Sequence, residues 1–235
     1  MSIDNEWYND LGDRWWDRDG PVGILHELNG ARFQYFKSVL GRLDGLRVLD
    51  VGCGGGLLAA RMAQDGAEVV GVDLSHSSLA AARKHTRSAG LRIDFVTARG
   101  ESLPLVDSSF DAVVSSDFLE HVPDFDSVIS ECARLLKPAG LFLYETINRN
   151  LLSRIIGVWL FESVLKVIPK RTHDPRMFIK PSELHDSLAR HGIINRETRG
   201  ISPKAGAVGA LIGLIREGRA GAFKITDDTS LSYLG

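Results

Sequence analysis

The chain has 235 residues, 44% of them hydrophobic and 25% charged, a composition typical of soluble globular domains. Its 28 basic and 30 acidic residues give a net charge of -2, which does not indicate a nucleic-acid binder. Two cysteines cannot form a disulfide framework, the polar N-terminus is unlike a signal peptide, and no apolar run reaches the roughly 18 residues of a membrane span. These properties predict a cytoplasmic protein.

Hydrophobic periodicity predicts alternating helices and strands over the first 150 residues. In chain order we expect a helix over 32–40, a strand over 46–51, a helix over 57–65, a strand over 68–73, a helix from Ser75 to near Gly90, strands over 93–97 and 110–115, a helix over 124–136, a turn over 137–140 and a strand over 141–146. This alternation is typical of a doubly wound, mostly parallel α/β sheet.

The remaining third of the chain is less regular. It predicts an inserted amphipathic helix over 151–168, a helix opening at Pro181 and ending at Gly192, a strand over 193–201, an apolar run over 205–215 and a last strand near 230–234. We therefore expect a single domain over 1–235, with an N-terminal helical cover (1–41), a cofactor-binding core (42–150), a helical lid (151–192) and C-terminal strands (193–235).

The stretch from Val48 to Gly56 is an apolar strand that runs into a glycine-rich turn, and the next strand ends in Asp73. Such a pairing predicts a nucleotide-type pocket at the carboxyl edge of a parallel sheet. Glycines let the backbone turn tightly and approach a ligand closely, and a carboxylate after the second strand can accept hydrogen bonds from a ribose diol.

The spacing of the glycines in this loop narrows the range of ligands that it could bind. A dinucleotide fingerprint has glycines at the first, third and sixth positions, but the sixth position counted from Gly52 is Leu57. No Lys-Ser/Thr pair follows, which excludes a P-loop. Asp50 precedes the turn and would repel a pyrophosphate, whereas it suits a ligand with an ammonium group and no phosphate. S-adenosylmethionine is such a ligand.

These residues resemble the class I S-adenosylmethionine-dependent methyltransferases, and more narrowly the O-methyltransferases of ubiquinone biosynthesis. The resemblance covers nearly the whole chain and includes the Arg14-Trp15-Trp16-Asp17 motif, the glycine loop, and the segments 119–124, 148–150 and 172–181. It implies a Rossmann-like fold with a seven-stranded sheet and a reversed final hairpin. The segment 201–225, which would shape the acceptor pocket, matches the family only loosely.

The resemblance implies cofactor contacts at Arg32, Gly52, Asp73 and Ser116. An arginine can hold the methionine carboxylate through a charge-assisted pair, Gly52 allows close approach to the methionine portion, and Asp73 would bind the ribose. The full predicted cofactor-binding set is Arg32, Asp50, Gly52, Gly54, Asp73, Leu74, Gly100, Glu101 and Ser116, with Gly100 and Glu101 at the adenine edge.

Methyl transfer to a phenolic oxygen needs a base or a metal ion, because a phenol with a pKa of about 10 is neutral at pH 7. Asp117, Glu120 and His121 have i, i+3, i+4 spacing and would share one face of a helical turn. That set could hold a divalent ion, Mg or Zn. The alternative is general-base catalysis, for which the candidates are His121, His173 and Glu120, with His26 given low weight.

The segment from Leu151 to Lys180 is apolar on one face and rich in Arg and Lys. It could contact a membrane peripherally, or pack over the acceptor pocket as a lid. The chain is therefore interpreted as an S-adenosylmethionine-dependent O-methyltransferase acting on a small aromatic acceptor, either a quinone precursor or another phenol. Methylation of carbon or nitrogen, and a non-catalytic S-adenosylmethionine-binding module, remain as alternatives.

Overall fold

The computed structural model describes residues 6–155 and 174–235. Its elements in chain order are α1 (Glu6–Leu11), a 3-10 helix (Gly12–Trp16), α2 (Gly23–Leu40), β1 (Arg47–Val51), α3 (Leu57–Gln64), β2 (Glu68–Asp73), α4 (His76–Ser88), β3 (Ile93–Thr97), β4 (Phe110–Ser116), a 3-10 turn (Leu119–His121), α5 (Phe125–Leu135), β5 (Leu136–Ile147), α6 (Leu151–Ser153), α7 (Pro181–Arg190), β6 (Arg199–Pro203), α8 (Gly206–Glu217), β7 (Phe223–Thr226) and β8 (Ser232–Leu234).

One sheet carries the strands of the described residues in the order β3-β2-β1-β4-β5-β8-β6-β7. The first five strands pair in parallel, while β8, β6 and β7 pair antiparallel at the far edge. The predicted doubly wound, mostly parallel α/β sheet is thus confirmed. The expected count of seven strands is wrong, because the sheet has eight. The additional strand, which the sequence did not predict, is β7, and its segment has no clear alternation of apolar and polar residues.

Local sequence explains why the core elements begin and end where they do. The strands β1 and β4 are almost wholly buried, as expected for parallel strands covered on both faces. Ser75 caps α4 by accepting a hydrogen bond from the Ser78 N–H, and Asp124 caps α5 in the same way from the Ser127 N–H. Because β1 pairs in parallel with both β2 and β4, the carboxyl ends of the three strands lie at one edge of the sheet.

The structure differs from the sequence prediction in three segments and assigns a helix to a fourth, for which the sequence predicted no secondary structure. Residues 137–140, expected as a turn, continue β5, with Ala139 at φ +63° and a register shift opposite β4. Residues 193–198 form no strand, and the apolar run over 205–215 is helix α8. The helix expected over 32–40 begins nine residues earlier, at Gly23. Most of the predicted lid helix over 151–168, with its possible membrane contact, lies outside the described residues.

The N-terminal elements fold over the mouth of the glycine loop. The Trp15 indole N–H donates to the Ser78 hydroxyl at 2.9 Å, and the Trp16 indole N–H donates to the Gly55 carbonyl at 3.0 Å. Ser78 in turn donates to the backbone carbonyl of Tyr8. We call residues 6–16 the N-terminal cap. Within the parts of the chain that the structure describes, no helix is both long and apolar enough to cross a bilayer.

Candidate active site

The glycine loop turns sharply between β1 and α3. The N–H groups of Gly52 and Cys53 both donate to the Val72 carbonyl, at 2.8 and 3.0 Å, which ties the loop to the end of β2. Gly52, Gly54 and Gly56 all have positive φ, at +76°, +51° and +78°, a region that side chains disfavour. A Cβ at Gly54 would also overlap the Trp15 ring. The glycines therefore serve both the turn and the seating of the N-terminal cap.

Asp73 braces the loop from the end of β2. Its carboxylate accepts hydrogen bonds from the Gly54 N–H at 2.9 Å and the Ser75 N–H at 2.8 Å. Burial raises its pKa above the ordinary value, against the effect of these backbone hydrogen bonds. Each carboxylate oxygen retains acceptor capacity beyond the one bond it makes, so Asp73 can accept from a ligand while it holds the loop.

Asp50 lies in β1 with 2% of its surface exposed, and it lines the same cavity as Asp73. Burial raises its pKa to about 7, with the charge of Asp73 acting in the same direction and that of Arg32 opposing it. Its Oδ2 atom has no hydrogen-bond partner among the described residues. A buried carboxyl group in this condition is suited to a cationic ligand, which would satisfy the oxygen and restore the charged form.

The predicted adenine edge lies along the same cavity, which is also lined by Leu74, Gly100 and Glu101. Leu74 follows β2 directly and is 59% exposed, so its side chain is available to a flat ligand. Gly100 lies against the Phe118 ring, which leaves no room there for a Cβ. Phe118 was not predicted as a site residue, because its closeness to Gly100 depends on the pairing of distant strands.

Arg32 occupies a position that the sequence could not specify. It is buried, and its Nη2 atom forms ion pairs with both Asp117 and Glu145. These two carboxylates raise the pKa of the guanidinium above its ordinary value, although burial opposes them. The Arg32 Nε atom has no hydrogen-bond partner within residues 6–155 and 174–235, and the side chain lines the cavity. It remains able to donate one further hydrogen bond to an anionic group.

Ser116 ends β4 beside this cluster. The residue is 9% exposed, lines the cavity, and its hydroxyl has no partner in the described structure. Asp117 follows at φ +49°, a left-handed conformation that aspartate tolerates better than most residues. Its N–H donates to the Glu145 carbonyl at 3.1 Å. The turn thereby holds Asp117 against Arg32.

The predicted metal-ligand set does not form. The expectation required Asp117, Glu120 and His121 to share one face of a helical turn, but the 3-10 turn begins at Leu119 and Asp117 has a left-handed backbone. Asp117 pairs with Arg32, and Glu120 accepts from the Thr146 hydroxyl at 2.8 Å. No group of three or more His, Cys, Asp and Glu residues in the described ranges could hold a metal ion. The metal prediction is therefore not supported.

The structure places the candidate general bases in different surroundings. His121 is buried and lines the cavity, with the Tyr8 ring packed edge-on against it at a centroid distance of 5.7 Å. Glu120 is not among the cavity-lining residues, and burial together with the charge of Asp117 raises its pKa to about 8. His26 bonds the Trp15 carbonyl at 2.8 Å. His173 lies outside the described residues.

A cavity of about 920 Å³ joins these groups. One end is formed by the glycine loop, Asp73 and Gly100, and the lining extends through Ser116 and His121 to apolar residues of α2, α8 and β7. The sequence assigned the segment 201–225 to the acceptor pocket, and α8 lies in that segment. Nothing local predicted that residue 211 would line the cavity together with residue 24. The cavity thus has a polar part at the glycine loop and an apolar part along α2, α8 and β7. It lies at the carboxyl edge of the sheet, where ligands bind in such folds.

Known proteins are similar to this chain in sequence and in fold. Residues 49–144 match a family model described as a methyltransferase domain. The chain is 40% identical over 222 residues to a ubiquinone biosynthesis O-methyltransferase of Alkalilimnicola ehrlichii. The alignment covers 94% of this chain and 85% of that protein.

Two solved structures share the fold at lower sequence identity. An S-adenosylmethionine-dependent methyltransferase of Thermotoga maritima aligns with a TM-score of 0.65 over 97% of both chains, at 18% identity. The magnesium protoporphyrin IX methyltransferase of Synechocystis, solved with bound S-adenosylhomocysteine, aligns with a TM-score of 0.56 over 86% of this chain and 82% of that one, at 21% identity.

The fold, the glycine loop and the methyltransferase-domain match define an S-adenosylmethionine-dependent methyltransferase of class I. At 40% identity over almost its full length, the chain belongs to the ubiquinone biosynthesis O-methyltransferase family.

Proposed function

We propose that this enzyme transfers the methyl group of S-adenosylmethionine to a hydroxyl oxygen of a small aromatic quinone precursor. The observation that carries the proposal is the single cavity of about 920 Å³ that joins Asp73 and the glycine loop to His121 and an apolar wall. The family's name points to the same class of acceptor.

The residues at the donor end of the cavity fit S-adenosylmethionine. Asp73 would accept from the ribose hydroxyls, since its oxygens have spare acceptor capacity. Asp50 would face the ammonium group with the oxygen that has no partner among the described residues. The Arg32 Nε–H, which has no partner there either, would face the carboxylate. When bound, S-adenosylmethionine supplies a methyl group already activated by a cationic sulfur.

The protein's part at the acceptor end is to align the ring, exclude water and remove a proton. Alignment alone can contribute about 7 to 11 kcal/mol to lowering a barrier. His121 is the base that the geometry favours, because it lines the cavity whereas Glu120 does not. The Tyr8 ring and the buried position of His121 in the turn Leu119–His121 restrict the imidazole. General-base catalysis of this kind is worth about a hundredfold to ten-thousandfold in rate.

The proposal is tested with methyl-labelled donor and a panel of catechols and demethylated quinols. We expect label to enter at least one member, and His121→Gln to lower its kcat by about a hundredfold or more while calorimetry shows an unchanged Kd for S-adenosylhomocysteine. His76→Gln, on the side of α4 where its ring contacts Thr97, is the matched control and should keep full activity. Donor binding without label transfer to any aromatic hydroxyl would refute the proposal.

A further inference from the structure

We propose that the Tyr8 hydroxyl is a second hydrogen-bonding group for the acceptor oxygen, beside the His121 imidazole, and that it stabilises the negative charge which this oxygen gains as it loses its proton. This role rests on the proposed function, because it concerns the acceptor of that reaction. It gives the N-terminal cap a residue that touches the substrate, in addition to its contacts with the glycine loop.

The Tyr8 hydroxyl lies beside the proposed base. It is 3.5 Å from the His121 Nε2 atom, and the two rings are nearly perpendicular, at 88°. Both residues line the cavity, whereas the Nδ1 atom of His121 is buried. Nε2 is therefore the nitrogen on the cavity side, and an acceptor oxygen that reaches it also comes close to the Tyr8 hydroxyl.

The distance between the two groups suits a third group that binds both. A contact of 3.5 Å is longer than an ordinary hydrogen bond, and catalytic hydrogen bonds are often long before the substrate binds. An acceptor oxygen near both groups would donate its proton to Nε2 of His121 and accept from the Tyr8 O–H. Its remaining lone pair would face the methyl group, so every hydrogen-bonding position of the phenol oxygen would be used.

Neighbours in the N-terminal cap and in α4 hold Tyr8 in place. Its ring stacks on Trp15, with centroids 5.9 Å apart and an interplanar angle of 17°, and lies edge-on to Trp7 at 5.0 Å. The Tyr8 carbonyl accepts from the Ser78 hydroxyl at 3.1 Å. The hydroxyl is thus fixed before the reaction near the oxygen on which charge would develop, and preorganised donors of this kind contribute strongly to catalysis.

Tyr8 and His121 would have different parts in the transfer. The acceptor proton passes to Nε2 of His121. The oxygen lone pair forms the new O–CH3 bond as the electron pair of the S–CH3 bond returns to sulfur, which leaves a neutral thioether. Tyr8 keeps its own proton and donates to the oxygen while that oxygen carries negative charge. Hydrogen bonds to charged groups are stronger than those between neutral groups, so Tyr8 favours the transition state over the neutral substrate.

A binding measurement tests this role without turnover. The full chain, saturated with S-adenosylhomocysteine, is titrated by calorimetry with a nitrocatechol at a pH at which one of its hydroxyl groups is ionised. Tyr8→Phe should raise the Kd of this anion by about tenfold or more and leave the Kd of S-adenosylhomocysteine unchanged. Tyr35→Phe is the matched control, because its hydroxyl donates to Glu197 and Tyr35 is not among the cavity-lining residues. It should bind the anion as the wild-type protein does.

Turnover gives a second readout, the division of the loss between kcat and KM. With an un-ionised catechol, Tyr8→Phe should lower kcat by about tenfold or more, because the hydrogen bond strengthens only as charge develops. With the ionised nitrocatechol the charge is present before the reaction. The loss should then appear in KM, with kcat changed by less than about threefold. A displaced cap would instead lower kcat for both acceptors and weaken S-adenosylhomocysteine binding.

Equal affinity of Tyr8→Phe and Tyr35→Phe for the ionised nitrocatechol, or no binding of this anion to either, would overturn the role of Tyr8. An equal loss of kcat with both acceptors would do the same. These outcomes differ from failure of the proposed function. Normal methylation of catechols by Tyr8→Phe refutes the role of Tyr8 alone. Binding of the anion through Tyr8 in a protein that methylates no aromatic hydroxyl refutes the proposed function alone.

Discussion

At the scale of single residues, the site depends on a few buried carboxylates with different partners. The Asp73 carboxylate accepts hydrogen bonds from two backbone N–H groups. Glu145 faces Arg32, whereas Asp50 has an oxygen without a partner in the described structure. An unsatisfied buried carboxyl group is costly, and under the proposed function the ammonium group of the donor would compensate Asp50.

Asp73 gives the most direct residue-level prediction. Asp73→Asn should raise the Kd of S-adenosylhomocysteine by about tenfold or more, because hydrogen bonds to a charged acceptor are worth about 1.5 to 3 kcal/mol each. Isothermal titration calorimetry measures the change. Asp94→Asn, at an exposed position on β3, is the control. Equal affinity of the two variants would remove Asp73 from the donor site.

Asp50 predicts a pH dependence of donor binding. Its pKa of about 7 in the free protein means that the carboxyl group is mostly protonated at pH 6 and mostly ionised at pH 8. A cationic donor favours the ionised form, so binding below pH 7 must release this proton. The affinity for S-adenosylhomocysteine should therefore fall about tenfold from pH 8 to pH 6.

The Asp50 prediction is checked by calorimetry in buffers of different ionisation enthalpy, which reports proton release directly. Asp50→Asn should abolish both the release and the slope. If the affinity of the wild-type protein were the same at pH 6 and pH 8, Asp50 would not face the cationic group of the donor.

At the scale of elements, Trp15 and Trp16 hold the N-terminal cap against the glycine loop. Gly55→Ala tests this seating, because a Cβ there would overlap the Trp15 side chain while the backbone conformation remains open to alanine. We expect it to displace the cap and to weaken S-adenosylhomocysteine binding, since Trp15 also lines the cavity.

The matched control for Gly55→Ala is Gly30→Ala in α2, where a Cβ meets no atom within 4 Å. That substitution should stabilise the protein by about 0.5 to 1 kcal/mol in urea unfolding, because alanine is the better helix former. A donor affinity in Gly55→Ala as high as in Gly30→Ala would mean that the cap does not support the donor site.

Trp15→Ala should lower the free energy of unfolding by about 3 to 5 kcal/mol, as expected when a large buried aromatic side chain is removed. Trp15 is 6% exposed and also donates to Ser78. Trp16→Phe, which loses the bond to the Gly55 carbonyl, should cost only about 1 kcal/mol. Similar losses for both variants, measured by urea unfolding, would contradict this ranking.

The elements of the core were predictable because their signals are local. The strand Glu68–Asp73 was predicted with its observed bounds, and the N-cap Ser75 with the helix after it was also correct. The segments that differ have no such signal. Residues 137–140 pair within β5 although Pro138 and Gly140 are typical of turns, and β7 is paired with β6 through contacts that no periodicity reveals.

The candidate site also contains residues that local sequence could predict and residues that it could not. Gly52 and Gly54 belong to one continuous loop, and Asp73 ends the next strand, which pairs in parallel with β1. The sequence predicted both the loop and this strand, so it could bring the three residues together. The Arg32–Asp117–Glu145 cluster joins residues from α2, the end of β4 and β5, and only the folded sheet places them in contact. The face proposed for Asp117, Glu120 and His121 failed because a left-handed residue interrupts the helical spacing.

At the scale of the whole molecule, donor binding should stabilise the fold, because the cavity wall includes residues from the N-terminal cap, the sheet edge and α8. S-adenosylhomocysteine at a hundred times its Kd should add about 2.7 kcal/mol to the free energy of unfolding. For a chain of this size that corresponds to a rise in Tm of about 5 to 10 °C, which differential scanning fluorimetry measures. No shift at saturation would mean that the donor pocket is not formed as described.

The central claim is that the methyl group goes to an aromatic oxygen. The most direct measurement is carbon NMR of the product made with donor labelled in its methyl carbon and a catechol or demethylated quinol acceptor. The account predicts one labelled methoxy resonance, formed in equal amount to S-adenosylhomocysteine and formed about a hundredfold more slowly, or slower still, by His121→Gln. A labelled methyl group on a ring carbon or on nitrogen, or donor binding with no labelled product from any hydroxylated ring, would contradict it.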